Sequence, residues 1–359
     1  MHRNIVQVLL LFVASLVSTA CGGGSAPTSA SPNFSKLTPS CFAASASNPV
    51  MTRGKPATSF AADWNDPSVI KVGNQFVMYA SSDNNLDLNI AIYRLVSNDG
   101  LSWTLSPTAP VLSADTSSAG TWDHKAVETP SVVYINGVYH MFYTGYPVLY
   151  TDTGSYKIGH ATSLDGITWT RDLNNPIVTP TAPLASPNLD FNQFITAEPA
   201  AVVFNNKIYL YFSAVGANTS VNTTWQVIGL TTSTDSSGTA WTAPVSVLQP
   251  DLVQYPRTTW LGYSTPMATV MNGQMHLFFD VVQNLPWRQL KIHHASSSDG
   301  ITNWNQDSSS IFNNIDAAWT ADEVRSPTVL LDGTSLYMWY AGSTTTPTSL
   351  SIGQAKCAL

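Results

Sequence analysis

One pattern recurs five times along the 359-residue chain. A polar residue and a proline open a short β-branched strand, which turns tightly into a second strand rich in tyrosine and phenylalanine. The clearest copy is Glu128 to Gly145, ETPSVVYINGVYHMFYTG, with an Asn136-Gly137 turn. Asn-Gly between two such runs is the strongest short-range hairpin signal, because a type I′ turn needs φ > 0 at both central residues. The other copies turn at Gly73-Asn74, Asn205-Asn206, Asn272-Gly273 and Asp332-Gly333, and the opening prolines are Pro67, Pro130, Pro199, Pro266 and Pro327, 63, 69, 67 and 61 residues apart. An Asp or Asp-Gly turn followed by a tryptophan comes after each of the first four hairpins, at Asp99…Trp103, Asp165…Trp169, Asp235…Trp241 and Asp299…Trp304.

Repeats of this period, each with strands enough for one small sheet, predict an all-β fold: a five-bladed β-propeller with four-stranded antiparallel blades around a central axis. No blade can cover both its faces alone, so the blades must stack. The spacing starts blades near residues 66, 129, 198, 265 and 326 and assigns 46–359 to the propeller. Tyr79, Tyr143, Tyr211, Phe279 and Tyr340 follow their prolines by 12 or 13 residues and are expected in the core.

The residues ahead of the propeller read differently. His2 and Arg3 precede an apolar run from Ile5 to Val17, too short for a mature membrane span and suited to a signal peptide over 1–20. Ser18-Thr19-Ala20-Cys21, then Gly22-Gly23-Gly24-Ser25, resembles a bacterial lipoprotein processing site. That resemblance implies a lipidated Cys21, an exported cell-envelope protein on the outer membrane or cell surface, and membrane contact through the anchor alone. Ordinary secretion is the alternative. The Ser/Ala/Pro/Thr-rich stretch to residue 45 reads as a flexible linker. Cys41 and Cys357 bracket the propeller, and an exported chain would join them in a disulfide that clasps the ring; two buried thiols are the alternative.

Charge excludes some functions. Net charge is −7, and the 15 basic residues form no run, so a nucleic-acid partner is not expected. A monomer that handles neutral polar ligands fits the composition better. Too few arginines are present for the cluster a sialidase needs, although the Asp-Gly turns superficially resemble its Asp-box.

The leading end of each inner strand should open on the funnel where propellers bind ligands. The residues there are Asn65-Asp66, Glu128-Thr129, Ala197-Glu198, Ser264-Thr265 and Arg325-Ser326. Three of five repeats bring a carboxylate, and such charges repel and desolvate one another unless paired or used. Arg325 is an available counter-ion. A protonated and an ionised carboxyl across a pocket are what glycosidic hydrolysis requires, roughly 6.5–9.5 Å apart to activate water or about 5 Å for direct attack. Loop residues entering the blades add candidate sugar contacts: Trp64, Trp122, Trp260, Trp319 and Glu323, with weaker cases at Asp123, Asp190, Arg257 and Tyr263. Equal spacing of Trp122 and Trp319 before their prolines suits a structural plug as well as a sugar platform. His140 and His276 fall at matching second-strand positions and read as packing.

These hairpins and Trp64-Asn65-Asp66-Pro67 resemble the furanosidase-type glycoside hydrolases, families 43 and 62 (arabinanases, arabinofuranosidases, xylosidases) and 32 and 68 (fructan enzymes), over residues 46 to 359. The resemblance implies a carbohydrate substrate, Asp66 as base or nucleophile, and a glutamate acid from a middle blade. Glu198 is placed there, with Glu128 as tuner or substitute acid. Family patterns put one residue between Glu and Pro, which Glu128-Thr129-Pro130 matches and Glu198-Pro199 does not. Ser131 stands where family 43 carries a tuning Asp. No cofactor is expected beyond the axial calcium or sodium that neighbouring families sometimes hold. A related family 130 phosphorylase or mannosidase, and a non-catalytic glycan-binding lipoprotein, remain as alternatives.

Overall fold

A computed structural model describes residues 37, 41–56, 63–82, 89–118, 120–148, 156–181, 190–218, 223–284, 288–344 and 350–359. The expected signal peptide and Cys21 lie outside the described residues. Among the described residues, twenty-one strands and two single-turn 3₁₀ helices account for the regular structure. The leading strands are Trp64–Val72, Ala126–Ile135, Ile195–Phe204, Trp260–Met271 and Glu323–Asp332. Each pairs antiparallel with the second strand of its own hairpin, and that with a third. Three sheets stay separate with four strands each, while the third and fourth repeats merge through one parallel bridge, Gln226 to Gly262. Each leading strand packs against that of the next repeat, and the last against the first. The result is a propeller-like all-β fold.

The turns follow the sequence chemistry. Both central residues have positive φ at Asn136-Gly137, Asn205-Asn206 and Asn272-Gly273, whereas Gly73 and Asp332-Gly333 use the glycine alone. The fold closes through its start: Ala43–Ala44 completes the last sheet by pairing with Lys356 and Ala355. The Cys41–Cys357 disulfide ties the residue just ahead of that short strand to the last strand, Cα atoms 5.0 Å apart.

Neighbouring repeats are clasped at the Asp-Gly turns. The Tyr79 hydroxyl donates to the Gly166 carbonyl at 2.7 Å, Tyr211 to Gly300 at 2.6 Å, and the Trp339 indole to Gly100 at 2.8 Å. Those glycines have φ between 71° and 74°, and a Cβ there would sit 2.7–2.8 Å from the clasping ring or hydroxyl. Trp103 locks its turn from within, Nε1 donating to the Gly100 carbonyl at 3.2 Å. The core aromatics expected from the repeat, Tyr79, Tyr143, Tyr211, Phe279 and Tyr340, are all buried.

Two repeats use another device. At the clasping position they carry Phe142 and Phe278, and beside each runs a buried relay. His140 Nδ1 meets His160 Nε2 at 3.0 Å, and His160 Nδ1 meets Asp172 at 3.1 Å. His276, His294 and Asp307 repeat this at 2.9 and 3.0 Å. Phe142 stacks on His160, and Phe278 lies tilted against His294.

Candidate active site

The geometry begins with proline. It cannot donate to the ladder and restricts its predecessor's backbone, and all five leading strands break register there. The five preceding residues, Asp66, Thr129, Glu198, Thr265 and Ser326, all have positive φ, from 40° to 54°. None is glycine, so each kink stores strain of the kind that collects at functional sites. With their prolines they line a cavity of about 40 Å³ on the axis. Beyond the prolines the five strands enclose a larger, mostly apolar axial space of about 730 Å³.

The kinks expose backbone N–H groups, and the second strands satisfy them. Thr129 N donates to Ser81 Oγ at 2.8 Å, Glu198 N to Thr144 Oγ1 at 2.8 Å, Thr265 N to Ser213 Oγ at 3.0 Å, and Ser326 N to Asp280 Oδ2 at 3.2 Å. Each acceptor also bonds the kink side chain of its own repeat. Ser81 reaches Asp66, Thr144 meets Thr129 Oγ1 at 2.5 Å, Ser213 donates to Glu198 Oε2 at 2.5 Å, and Thr265 Oγ1 donates to Asp280. The fifth repeat has Ala341 at this position; Ser326 Oγ instead donates to Asp66 Oδ1 at 2.7 Å and closes the circuit. A hydrogen-bonded belt thus encircles the axis.

Two of its kink positions are carboxylates, Asp66 and Glu198, and hydroxyls point at both. Glu198 Oε2 also accepts from Ser264 Oγ at 2.6 Å and Thr265 N at 2.9 Å. Glu128 sits one residue earlier, outside the belt, with Tyr146 donating to its Oε2 at 3.3 Å. Burial raises the Asp66 pKa from its ordinary value, against the opposing pull of Arg325 and of the Ser326 hydroxyl, while the Glu198 charge adds to the rise. Burial, and then the Asp66 charge, push Glu128 up to about 8. Burial, and then Glu198, push Asp280 to about 8 as well. Burial works against the charge of Arg325, yet Glu323, Asp66, Glu198 and Asp280 together hold its pKa above the usual value; Glu323 is its direct partner at 3.4 Å. Burial thus pushes Asp66, Glu128 and Asp280 all toward the protonated form, with the Arg325 charge opposing it at each; carboxyls perturbed in this way beside a fixed cation are candidates for acid–base work.

The structure thus gathers Asp66, Glu128, Glu198, Glu323 and Arg325 into one electrostatic cluster. Asn65 adjoins it, its Oδ1 buried without a hydrogen-bond partner. The loop candidates have packing partners instead. Trp64 is fully buried, its indole donating to the Lys55 carbonyl at 2.8 Å. Trp122 stacks on Tyr143 over Gly145 and Gly159, and Trp319 stacks on Tyr340 over Gly353, which is the plug reading of their equal spacing. Asp123 is buried and ion-paired with Arg171 at 3.0 Å. Tyr263 is buried, its hydroxyl donating to Gln306 at 2.7 Å, and half-buried Trp260 packs edge-on to Tyr255. Arg257 lies over the Trp225 ring, 3.1 Å from its centroid. Among the described residues no group of three or more His, Cys, Asp or Glu could hold a metal ion.

Sequence reasoning passed over Asp280. Its signal was there: Ser81, Thr144, Ser213, Asp280 and Ala341 each lie 14 residues after their proline, and only one is an acid.

No family model and no curated protein sequence matches the chain. Solved structures do. An α-L-arabinofuranosidase from Lactobacillus brevis superposes with a TM-score of 0.59 at 11% identity, over 86% of this chain and 92% of that one. An arabinanase from Bacillus subtilis gives 0.55 at 15% identity, over 82% and 96%. A β-1,2-mannobiose phosphorylase from Listeria innocua gives 0.62 at 12% identity, over 88% and 96%. The chain has the fold of these carbohydrate-active enzymes. Within that fold the carboxyl cluster lies at the kinked ends of the leading strands, where a funnel site is expected.

Proposed function

We propose that the protein is a glycoside hydrolase on a five-bladed propeller, acting on an arabinan- or arabinofuranoside-like glycan. The carrying observation is the placement of two carboxyls at the kinked strand ends: burial pushes Glu128 up to about 8, so that it holds a proton to give, while the Ser326 hydroxyl and the Arg325 charge oppose burial at Asp66 and favour its ionised form. In this reading Glu128 protonates the leaving oxygen as the glycosidic C–O bond breaks. Asp66 takes a proton from the attacking water, whose oxygen bonds the anomeric carbon. The sequence expectation put the acid on Glu198. Its Oε2 is engaged by Ser213, Ser264 and Thr265, which suits a fixed carboxylate that tunes the pair, and the environment of Glu128 supplies the proton. Arabinofuranosidase and arabinanase neighbours support the substrate class.

Phosphorolysis is disfavoured, because Arg325 is already engaged by Glu323 and lies among the axial carboxyls. Ser131, where a tuning Asp was expected, accepts Ala201 N at 2.8 Å and stitches repeats together. Export and a lipid anchor at Cys21 belong to the same proposal, as does action as a monomer. The test is product release from arabinan, arabinoxylan, levan, inulin and β-mannan, with and without phosphate, beside the Glu128→Gln variant. Phosphate-independent release of arabinose or its oligomers, lost in the variant, is the expected result; binding without release would make the protein a glycan-capture module.

A further inference from the structure

Four of the five belt bridges are positions where the repeat needs only a hydrogen-bond acceptor for the next kink and a partner for its own. Ser81, Thr144 and Ser213 do this with one hydroxyl. The fourth is Asp280, fully buried, and its two partners are those that govern the candidate catalytic carboxylates. It accepts from Thr265 Oγ1, and the N–H of that same Thr265 holds Glu198 Oε2 at 2.9 Å. It accepts from Ser326 N at 3.2 Å, and the hydroxyl of that same Ser326 holds Asp66 Oδ1 at 2.7 Å. One side chain therefore stands behind both arms of the site.

We infer that Asp280 is a positioning residue that fixes Asp66 and Glu198 relative to each other through Ser326 and Thr265. The inference rests on the hydrolase reading above for its kinetic consequence, and on geometry alone for its structural one. Both described bonds land on Oδ2, and Oδ1 is buried without a partner. A neutral carboxyl leaves an unpaired hydroxyl there, far less costly than an unpaired charge; the raised pKa of Asp280 agrees. Asparagine reproduces that neutral shape and keeps a carbonyl acceptor, whereas alanine removes the acceptor, so that the Thr265 hydroxyl loses this partner and Ser326 N keeps only Thr265 Oγ1, at 3.2 Å. Misplacing a reacting group by about 1 Å can cost on the order of 10²-fold in rate.

The experiment compares Asp280→Ala and Asp280→Asn in the full chain by steady-state kinetics on the glycan the wild type cleaves, and by crystal structures of both. Asp280→Ala is expected to lower kcat ~10²-fold with KM within about threefold, and to lose the Ser326–Asp66 and Thr265–Glu198 bonds. Asp280→Asn is expected to keep both bonds and retain kcat within about fivefold. If Asp280→Ala keeps both bonds and full kcat, the inference is wrong. If it does not fold, a tenfold or greater loss of kcat in well-folded Asp280→Asn with both bonds intact would overturn it equally. If the wild type cleaves no glycan, the hydrolase reading falls. The two bond distances in the alanine variant, or in the asparagine variant if alanine does not fold, then decide the positioning claim.

Discussion

The axial belt and the paired histidine relays are both buried and polar, and they are built on opposite backbones. The axial belt sits on five residues with positive φ, at breaks in the ladder, beside a cavity. The His140–His160–Asp172 and His276–His294–Asp307 relays link neighbouring strands whose pairing runs unbroken at the histidines, against Phe142 and Phe278. Both contain titratable groups in hydrogen-bonded chains. Only the belt places them where the backbone is strained and the interior open. Strain at a repeated position, beside a void, separates a candidate site from an equally polar piece of packing.

That contrast can be broken by mutation. Asp66→Asn is expected to lower product release by 10³-fold or more, on the order of the loss seen when an essential acid–base or nucleophilic group is removed, while moving Tm by less than ~3 °C. Glu128→Gln is expected to cost ~10²-fold at pH 6. It should also remove the alkaline limb expected of the wild type near pH 8. A His294→Ala variant should behave in the reverse sense: ~2–3 kcal/mol lost from an opened buried network, a Tm fall of ~3–5 °C, and kcat within about twofold. A relay variant that folds well but loses activity would dissolve the distinction.

The smallest effect is in pH-dependent stability, where the two networks carry opposite signs. Burial, and then the neighbouring histidine, lower His140 and His276 to about 4 from 6.5. The folded chain then binds fewer protons than the unfolded one, so this stability is full above pH 6.5 and is lost as pH falls toward 4. Asp280, held at about 8 against 3.8, works the other way: its stability is full below the unfolded value and lost as pH rises through 8. Thermal melts from pH 4 to 9 should show Asp280→Asn flattening the alkaline decline and His276→Gln the acid one. Crossed or absent effects would reassign the networks.

The propeller-like fold was legible because prolines, Asn-Gly turns and Asp-Gly…Trp landmarks are local signals repeated at one period. Asp66, Glu198 and Arg325 were legible because the same period aligns the residues ahead of each proline. What the period does not carry is the register break. It sets Asp66 and Glu198 into the belt and leaves Glu128 outside it, a one-residue difference written in the sequence whose consequence only the kinked backbone reveals. Asp280 was hidden because its importance lies in cross-repeat bonds to Thr265 and Ser326, not in its neighbours along the chain. Trp122 and Trp319 show the converse: equal spacing marked a recurring job, and Gly145, Gly159 and Gly353, which make room for the rings, show that the job is packing.

The most direct test of the central claim is hydrolysis of a chromogenic aryl α-L-arabinofuranoside, followed at pH 6 for the wild type, Asp66→Asn and His294→Ala side by side. The account predicts turnover by the wild type and, per folded molecule, by the relay variant, and none by Asp66→Asn. Equal turnover by wild type and Asp66→Asn would contradict it, because the strained belt would then not be where the glycosidic bond is broken.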